Sequence, residues 1–563
     1  MDSAPPLRLV LVAPPGWQPA PWQSRLLGRL LRDRRFRLSA RMTGVPVAAA
    51  RKPSALAKAL LALEARLLGP RQDRAIDDEA VKALQALPLE TAPRCDAALT
   101  LCAWQAPEKD LARLGIGEVS VRFADQPCGL SAAEAALLTM PEDGLIPVDI
   151  LIRSAAHPQA RVLRRACYSP KPLARMTGDY LAEKALLLLE TQLHSLARAH
   201  RLPAPTDQNL DGHGTDNKPS AARVKPALYA VQDLYFSPTQ NGSAPALIDH
   251  RHSQLGAQPA QSGSAPLPRS ALRYAAKALH TVASRGLGRI AARLGTAPSW
   301  ELRLGMGGID QFGPAKTLSL PRQHYTMADP FLFEHQKRLY LFYEATSAES
   351  DTGWIEVAEL CGEQLRPLGA ALKSATHLSY PFVFAHEGEV FMLPETQEAK
   401  RLEIWRAREF PLHWELYATA FEGKALADSS LFQHHGQWWL FTNLSDHSLY
   451  QDHSAELYLF AVDGPKLRRI EPHLLNPVVI GSDIARNAGS IIVENGRLFR
   501  ASQMNAHGVY GFGLNLMQID RLDRQSYDEH LYRRFTPADL PGAAALHHVS
   551  FGAGRHVIDL LPR

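Results

Sequence analysis

The sequence predicts two unlike domains, an N-terminal α/β domain followed by a C-terminal five-bladed β-propeller. Three observations support this prediction. At 563 residues the chain is too long for a single hydrophobic core. Over residues 1–203 short apolar runs alternate with helical patterns, which is typical of an α/β layer fold. Within residues 299–563 one pattern recurs five times at intervals of about 50 to 60 residues, which is typical of propeller blades.

The bulk composition is that of an ordinary globular protein. Hydrophobic residues make up 46% and charged residues 21% of the chain, which excludes a fibre or a wholly disordered protein. The net charge of +5, from 62 basic and 57 acidic side chains, is too small to indicate nucleic-acid binding. The five cysteines are scattered without a CxxC pair, so we expect free thiols in a reducing compartment. No signal peptide or bilayer-length apolar run is present, and we therefore expect a cytoplasmic protein. Separately, we expect neither a metal nor a cofactor.

The N-terminal domain, residues 1–203, is predicted from alternating strand and helix patterns. Leucines at helical spacing indicate helices, and short β-rich apolar runs indicate buried strands. Strands are predicted at 7–13, 95–103 and 117–123, and helices at 24–33, 56–69 and 181–200. Thr177 and Asp179 are candidates to cap the last of these helices.

Two connecting segments follow. Residues 204–268 are rich in Gly, Pro, Ser, Gln and Asn and predict a low-complexity linker. Residues 269–298 predict a basic helical connector, because no acidic residue interrupts the basic side chains between Arg269 and Arg293. Such a helix would make a peripheral contact with anionic lipid or a polyanionic glycan. The simpler interpretation is a solvated helix whose apolar side packs on a domain.

The repeats of residues 299–563 each contain an alternating apolar strand, a polar turn and a second apolar strand, which predicts a β-hairpin. The repeats begin at Asp329, Tyr380, Asp428, Asn487 and His547. Further strands at 402–409 and 455–463 would fill outer positions of the blades. We expect the strand at 300–305 to complete the last blade and to close the ring.

Polar side chains form two columns in these hairpins. The first column holds Asp329, Tyr380, Asp428, Asn487 and His547, and the second holds Glu344, Glu395, Asn443 and Ser502, with Gln503 next to it. The start of one hairpin strand and the end of the other lie at the same sheet edge, so both columns are predicted to surround one mouth of the channel. Carboxylates, amides and aromatic rings are typical of a sugar site. The simpler interpretation is that Asp and Asn cap turns at strand starts.

Several motifs of this half resemble one family. The segments ADPFLF (328–333), DSSLFQHHGQWWLFTN (428–443) and YGFGLNLMQI (510–519), with the stretches 395–415 and 475–503, resemble the N-terminal domain of plant glucosamine inositolphosphorylceramide transferases and its bacterial relatives. That domain in turn resembles the five-bladed family-43 glycoside hydrolases. The plant enzymes carry a separate C-terminal glycosyltransferase domain, which has no counterpart in this sequence.

The resemblance to the hydrolases implies roles for three positions. It implies a general base at Asp329, and it places Asp428 where the hydrolases have a glutamic general acid. Tyr380 stands where they have an aspartate that tunes the pKa of that acid. Two of the three positions thus depart from the hydrolase pattern, which puts plain inverting hydrolysis in doubt. Glu344 and Glu395 are the candidates for the missing carboxyl group.

The N-terminal domain resembles the formyltransferase fold. Active formyltransferases need an Asn-x-His pair followed by a downstream Asp, and the matching strand here, GEVSVRFAD at 117–125, has no such pair. The resemblance therefore predicts a degenerate domain without formyl-transfer activity. The domain also lacks a GxGxxG or P-loop motif.

The leading hypothesis is a carbohydrate-active enzyme that transfers a glycosyl unit or remodels a glycan during cell-surface polysaccharide or glycolipid synthesis, acting on a glycan or glycolipid. The predicted catalytic residues are Asp329, Asp428, Glu395 and Glu344, and the predicted substrate contacts are Tyr380, Asn443, Arg486, Asn487, Gln503 and His547. Arg486 would hold a phosphate or carboxylate group, or else form a salt bridge between blades. Two alternatives stay open, a non-catalytic glycan-binding propeller and a formyl or acyl transferase acting on an amino sugar.

Overall fold

The computed structural model describes most of the two predicted domains. The described residues are 5–47, 55–68, 76–91, 94–124, 131–138, 144–199, 274–276, 279, 298–347, 352–445 and 452–563. The predicted linker 204–268 lies outside them, as does nearly all of the predicted connector 269–298. Among the helices that are described, none combines the length and the apolar character needed to cross a membrane.

A six-stranded sheet forms the centre of the N-terminal domain. The strands of this half are β1 (Leu7–Ala13), β2 (Phe36–Thr43), β3 (Val45–Pro46), β4 (Cys95–Thr100), β5 (Trp104–Gln105), β6 (Leu114–Phe123), β7 (Ile146–Arg153) and β8 (Arg161–Tyr168). The sheet order is β2-β1-β4-β6-β7-β8, and β3 pairs with β5 in a separate ladder. The first four strands of that order run parallel, whereas β7 and β8 are antiparallel. The three predicted strands are confirmed as β1, β4 and β6.

In the described part of this domain, five α-helices accompany the sheet. They are α1 (Pro21–Arg32), α2 (Ala55–Leu68), α3 (Asp78–Ala86), α4 (Ala132–Leu138) and α5 (Ala174–Ala199). The three predicted helices are confirmed as α1, α2 and α5. However, α5 begins before its predicted start, so Thr177 and Asp179 lie inside the helix and the capping prediction is wrong. The Thr177 hydroxyl instead accepts the backbone N–H of Lys171, in the connection that leads into the helix.

Five antiparallel sheets form the propeller. The propeller begins with β9 (Glu301–Met306) and β10 (Leu318–Ser319), which belong to the closing blade. Blade 1 contains β11 (Thr326–His335), β12 (Arg338–Thr346), β13 (Trp354–Cys361) and β14 (Gln364–Leu372), and blade 2 contains β15 (Ser379–His386), β16 (Glu389–Glu395), β17 (Leu402–Glu409) and β18 (His413–Ala420). Blade 3 contains β19 (Leu426–His434), β20 (Gln437–Leu444), β21 (Glu456–Val462), β22 (Ile470–Pro472) and β23 (Val479–Ile480), and blade 4 contains β24 (Asn487–Glu494), β25 (Arg497–Ala506), β26 (Val509–Leu522) and β27 (Tyr527–Phe535). The closing blade is completed by β28 (Ala543–Ala545), β29 (Val549–Gly552) and β30 (Arg555–Pro562).

This topology confirms the five predicted hairpins and the predicted closure of the ring. The strand β9 pairs antiparallel with β30, with Leu304 opposite Val557, so the first and last strands of the propeller lie in one sheet. The outer strands predicted at 402–409 and 455–463 are β17 and β21. Because the ring is closed, the starts of the inner strands point toward one axis.

The inner strands of blades 1 to 3 share a β-bulge at the position of the first column. The register of each hairpin shifts there, and Asp329, Tyr380 and Asp428 take φ values of 48°, 46° and 46°. Left-handed backbone is costly for residues other than glycine and is concentrated at functional sites. The bulge turns these three side chains out of the regular alternation of the strand.

Candidate functional site

The second polar column occupies one equivalent position in successive blades. Glu344, Glu395, Asn443 and Ser502 lie opposite Ala328, Ser379, Ala427 and Asn487 in the four hairpin ladders. Two of these side chains bind the next blade. The backbone N–H of Asp428 donates to Glu395 (3.1 Å), and that of Asn487 donates to Asn443 Oδ1 (2.9 Å). The column therefore links neighbouring blades at the mouth of the ring.

Sequence reasoning missed the fifth member of this column, Asp559. Its carboxylate accepts the backbone N–H of Asp329 at 2.9 Å, which is the same blade-to-blade contact that Glu395 and Asn443 make. Asp559 lies near the end of the second strand of the fifth repeat, so the repeat pattern itself held the signal.

The first column needs a correction in two blades. Asn487 lies opposite Ser502 in the ladder and so corresponds to Ala427, the residue before the bulge, and not to Asp428. His547 likewise precedes by two residues the start of β29 at Val549. In blade 4 the register shifts by two residues between Asn487 and Ile491, whereas the ladder of β29 with β30 has no shift and begins after His547.

A cluster of three charged side chains at the mouth joins blade 1 to the closing blade. His547 lies between two carboxylates, with Nε2 at 3.2 Å from Asp329 Oδ1 and Nδ1 at 3.0 Å from Asp559 Oδ1. All three side chains are buried. Burial opposes ionisation of Asp329, but the hydrogen bond and charge of His547 lower its pKa to about 2. Burial also disfavours the His547 cation, yet the charges of Asp559 and Asp329 raise the pKa of His547 to about 10.

A second charged group joins blades 2, 3 and 4. Arg486 donates to Asp428 through Nε (2.6 Å) and Nη2 (3.3 Å), and its Nη2 lies 3.7 Å from Glu395. Burial, and then the charge of Asp428, raise the pKa of Glu395 well above its usual range. The Arg486 guanidinium lies 4.9 Å from the centre of the Tyr510 ring. The predicted salt bridge between blades is thus the contact that Arg486 makes.

Gln503 and two aromatic rings complete the wall of the mouth. The Gln503 amide donates to Asp428 Oδ2 (3.4 Å) and to the Tyr510 hydroxyl (3.2 Å). Its buried Oε1 has no hydrogen-bond partner within the described part of the chain. The Trp300 ring lies 4.1 Å from that of His547, and the Tyr510 ring lies 5.4 Å from it. The site therefore presents an unused acceptor beside aromatic faces.

Three of the predicted site residues make contacts that bind the fold together. The Tyr380 hydroxyl crosses to blade 4, where it donates to Gly489 O (2.7 Å) and accepts from Gly489 N (3.1 Å). Asn443 donates to the carbonyl of Glu456 (2.8 Å), and Asn487 donates to the carbonyl of Asp428 (2.8 Å). All three side chains are buried. Their role as substrate contacts stays a prediction, while their structural role is evident from these bonds.

Glu344 is set apart from the other predicted catalytic residues. Its carboxylate lies 3.3 Å from His377 Nε2. Within the described residues, no hydrogen bond or ion pair joins it to Asp329, Asp428 or Glu395. The structure thus brings three of the four predicted catalytic carboxyl groups together at the mouth.

Trp300 and Tyr510 are site residues that sequence reasoning did not single out. Trp300 stands immediately before β9, so closure of the ring places it beside the last blade. Tyr510 lies in β26, whose hairpin with β25 extends past the mouth.

Asp329, His547 and Asp559 are the one group in the described residues whose ligand atoms cluster as in a metal site. Each offers one ligand atom, and these atoms lie within 4.8 Å of one another. However, a metal needs a neutral imidazole, whereas the two carboxylates favour the protonated ring of His547. Ion pairing and metal binding therefore exclude each other at this group.

The propeller is the part of the chain that is similar in sequence to known proteins. Residues 316–536 match the family model described as "Glucosamine inositolphosphorylceramide transferase 1, N-terminal". The protein named glucosamine inositolphosphorylceramide transferase 1 is 38% identical over 208 residues in Oryza sativa subsp. japonica and 36% identical over 208 residues in Arabidopsis thaliana. The propeller is similar to that family's domain. This confirms the resemblance expected from the sequence motifs.

The extent of the similarity is limited. The match covers 36% of this chain, 27% of the rice protein and 26% of the Arabidopsis protein, so this chain spans about a quarter of the length of these relatives. Among solved structures, an α-L-arabinanase of Cellvibrio cellulosa complexed with arabinohexaose is 13% identical and covers 36% of this chain and 76% of its own, with a TM-score of 0.27. The RS223 β-xylosidase is 12% identical, and the match covers 42% of this chain and 95% of the xylosidase chain, with a TM-score of 0.30. The resemblance of the N-terminal domain to formyltransferases stays a prediction.

Proposed function

We propose that this chain is a carbohydrate-active enzyme that transfers a glycosyl unit, or remodels a glycan, in the synthesis of a cell-surface polysaccharide or glycolipid. The reaction takes place at the propeller mouth, where Asp329, Glu395, Asp428 and Arg486 converge. One observation supports this proposal above the others. Two carboxyl groups of one site have pKa values displaced in opposite directions, down for Asp329 and up for Glu395.

Opposite displacement is what acid and base chemistry on a sugar requires. Glycosyl transfer needs a base that accepts a proton from the attacking hydroxyl group and an acid that protonates the leaving oxygen. A pair of carboxyl groups fills both roles when their surroundings keep one ionised and the other protonated. Asp329, ionised beside the His547 cation, is the base in this proposal. Glu395, protonated beside the Asp428 carboxylate, is the acid.

The remaining side chains of the mouth bind and orient the substrate. The aromatic faces of Trp300 and Tyr510 suit the apolar face of a sugar ring. The unpartnered Oε1 of Gln503 is an acceptor for a sugar hydroxyl group. Arg486, which is held by Asp428, fixes the carboxyl groups in place and is not available as a free anion-binding cation.

The name of the relatives indicates which compounds to test. Glucosamine inositolphosphorylceramide transferase names a sugar and a glycolipid, so glycolipid acceptors belong in the assay together with oligosaccharides. A second candidate function, glycan binding without turnover, is favoured by one observation. Asp428, at the position of the acid in the resembling hydrolases, is engaged by two hydrogen bonds from Arg486.

The test is turnover by the full chain with nucleotide-sugar and lipid-linked donors, detected by mass spectrometry. Asp329→Asn and Glu395→Gln are each expected to lower kcat by at least about 100-fold, the usual contribution of a general acid or base. Matched controls are Glu334→Gln and Glu389→Gln, which lie on the same two strands toward their opposite ends and should keep full activity.

Two results would count against catalysis at the mouth. Full turnover by both Asp329→Asn and Glu395→Gln would remove these carboxyl groups from the reaction. Glycan-array binding that survives both changes, with no turnover of any donor, would favour the non-catalytic candidate instead.

A further inference from the structure

The N-terminal domain packs against the propeller beside the candidate site. The buried leucines of α5 belong to the same hydrophobic cluster as Ala455, which immediately precedes β21, and Ile480, which ends β23 in blade 3. Two domains that share a continuous apolar core are held in one arrangement, unlike domains that meet through a small polar interface. The contacts across this interface lead toward the mouth by three routes.

The first route begins at a buried ion pair. Lys184 Nζ of α5 lies 2.6 Å from Glu456, and the two side chains are 0% and 1% exposed. The Glu456 carbonyl accepts from Asn443 Nδ2 (2.8 Å), and Asn443 Oδ1 accepts the backbone N–H of Asn487 (2.9 Å). Asn487 Nδ2 then donates to the carbonyl of Asp428 (2.8 Å). Hydrogen bonds and the residues between them thus connect α5 to the backbone of Asp428, whose side chain belongs to the site.

The second route begins at Tyr180, one turn earlier in α5. Its hydroxyl lies 3.2 Å from the hydroxyl of Ser482, whose carbonyl accepts the backbone N–H of Asn505 (2.9 Å). Asn505 Oδ1 accepts the backbone N–H of Gly511 (2.7 Å). Gly511 is the neighbour of Tyr510, the aromatic ring against which the arginine of the site lies.

The third route holds two loops of the mouth from the connection between β8 and α5. Lys171 Nζ lies 2.8 Å from Asp452, the neighbour of the buried His453. Burial, and then the charge of Arg486, lower the pKa of that histidine. The Ser169 hydroxyl accepts the backbone N–H of Gly508 (3.0 Å), in the turn of the long β25-β26 hairpin. The N-terminal domain therefore contacts the mouth segments of both blade 3 and blade 4.

We propose that the N-terminal domain is a fixed part of the propeller site, with Lys184 and Tyr180 as positioning residues that act through Asn443 and Ser482. The inference rests on the proposed function insofar as it takes the mouth as the site. A buried ion pair contributes little net stability compared with apolar residues of the same size, and its best-attested role is to fix one register. Here the pair fixes the register of α5 against the strand that supports the second column.

Hydrogen–deuterium exchange of the full chain tests this inference without any substrate. The variants are Tyr180→Phe, and Lys184→Met combined with Glu456→Gln. In both, amides in peptides 481–489 and 503–513 are expected to exchange about tenfold faster, the equivalent of one lost hydrogen bond. The double variant removes both charges of this pair together, so neither is left buried without its partner and the fold is expected to persist.

The control is Arg198→Met, which changes the same interface at the far end of α5. Arg198 donates to the carbonyl of Leu474 (3.3 Å), away from the mouth, so its loss should leave 481–489 and 503–513 unchanged. If the double variant fails to fold, Tyr180→Phe alone decides.

Unchanged exchange of both peptides in the folded variants, with faster exchange confined to α5, would overturn the inference and make the interface simple attachment. The same would follow if Arg198→Met loosened the mouth equally. Neither outcome depends on whether a sugar is turned over, so failure of this inference is distinguishable from failure of the proposed function.

Discussion

Replacing His547 by glutamine tests the charge arrangement at the mouth. The change removes a buried cation that lies 3.2 Å from Asp329 and 3.0 Å from Asp559. Glutamine keeps a hydrogen-bonding side chain but leaves two carboxyl groups close together without a positive charge. Breaking a buried ion pair by removing one partner costs about 3 to 5 kcal/mol. We therefore expect a loss of that size in the free energy of unfolding near pH 6.5.

The same contribution must depend on pH with a definite sign. The folded pKa of His547, about 10, lies above the unfolded value of 6.5. The stabilisation is therefore complete below pH 6.5 and is lost as the pH rises through the folded pKa. Each pH unit in this window removes about 1.4 kcal/mol, so on the order of 5 kcal/mol is lost across it. The low pKa of Asp329 reflects the same ion pair and is not added to this figure.

The assay is urea denaturation of the natural protein and of His547→Gln between pH 6 and 10, in buffers that contain EDTA. The gap in free energy between the two proteins should narrow by about 1.4 kcal/mol per pH unit above pH 7. Tryptophan fluorescence is a suitable probe, because the Trp300 ring lies 4.1 Å from that of His547. His530→Gln is the control, since His530 pairs with Asp520 at the surface. A gap that stays constant from pH 6.5 to 10 would refute the reasoning.

Three further changes test other parts of the structure by urea denaturation at pH 7. Glu395→Gln should lower the free energy of unfolding by less than about 1 kcal/mol, because glutamine resembles the protonated acid. Glu395→Ala should lower it by about 1 to 3 kcal/mol, because it leaves the backbone N–H of Asp428 without an acceptor. Equal losses in the two variants would contradict a protonated Glu395. Gly489→Ala should lower the free energy of unfolding by more than about 3 kcal/mol, because φ is 146° and the added Cβ would lie 2.2 Å from a backbone carbonyl oxygen of the closing blade. Its control, Gly496→Ala, adds a Cβ that meets open space and should lower the free energy of unfolding by about 1 kcal/mol. Arg500→Met should cost about 3 to 5 kcal/mol because it leaves the Glu529 carboxylate buried alone, and adding Glu529→Met should recover most of the loss if the ion pair is the cause.

The sequence predicted the blades well because each hairpin alternates apolar and polar residues with period two. It also predicted the closing strand, since WELRLG at 300–305 has no other partner in the repeat. The second column could be predicted because the ends of the second strands are regular. The offset of Asn487 and His547 could not, because the blade-4 ladder holds two extra residues after Asn487 and β29 begins two residues after His547, and the apolar alternation shows neither.

The pairings across the site lay beyond sequence reasoning for a different reason. Arg486 and Asp428 come from different blades, and their contact depends on the ring's curvature and not on any local pattern. The phenol of Tyr380 reaches Gly489 across the axis, a distance of 109 residues in the chain. Likewise, no property of α5 in the sequence indicates that Lys184 pairs with blade 3, since a lysine among leucines usually marks a solvated face.

The pairing of β9 with β30 has a consequence for biosynthesis. The strand β9 leaves the ribosome long before β30 exists, and with only β10 as a neighbour it must wait while four complete blades are made. Asp559 lies on β30, so the partner that flanks His547 is among the last parts of the propeller to be translated. The nascent protein therefore carries no assembled mouth, and the candidate site is complete only when the ring has closed.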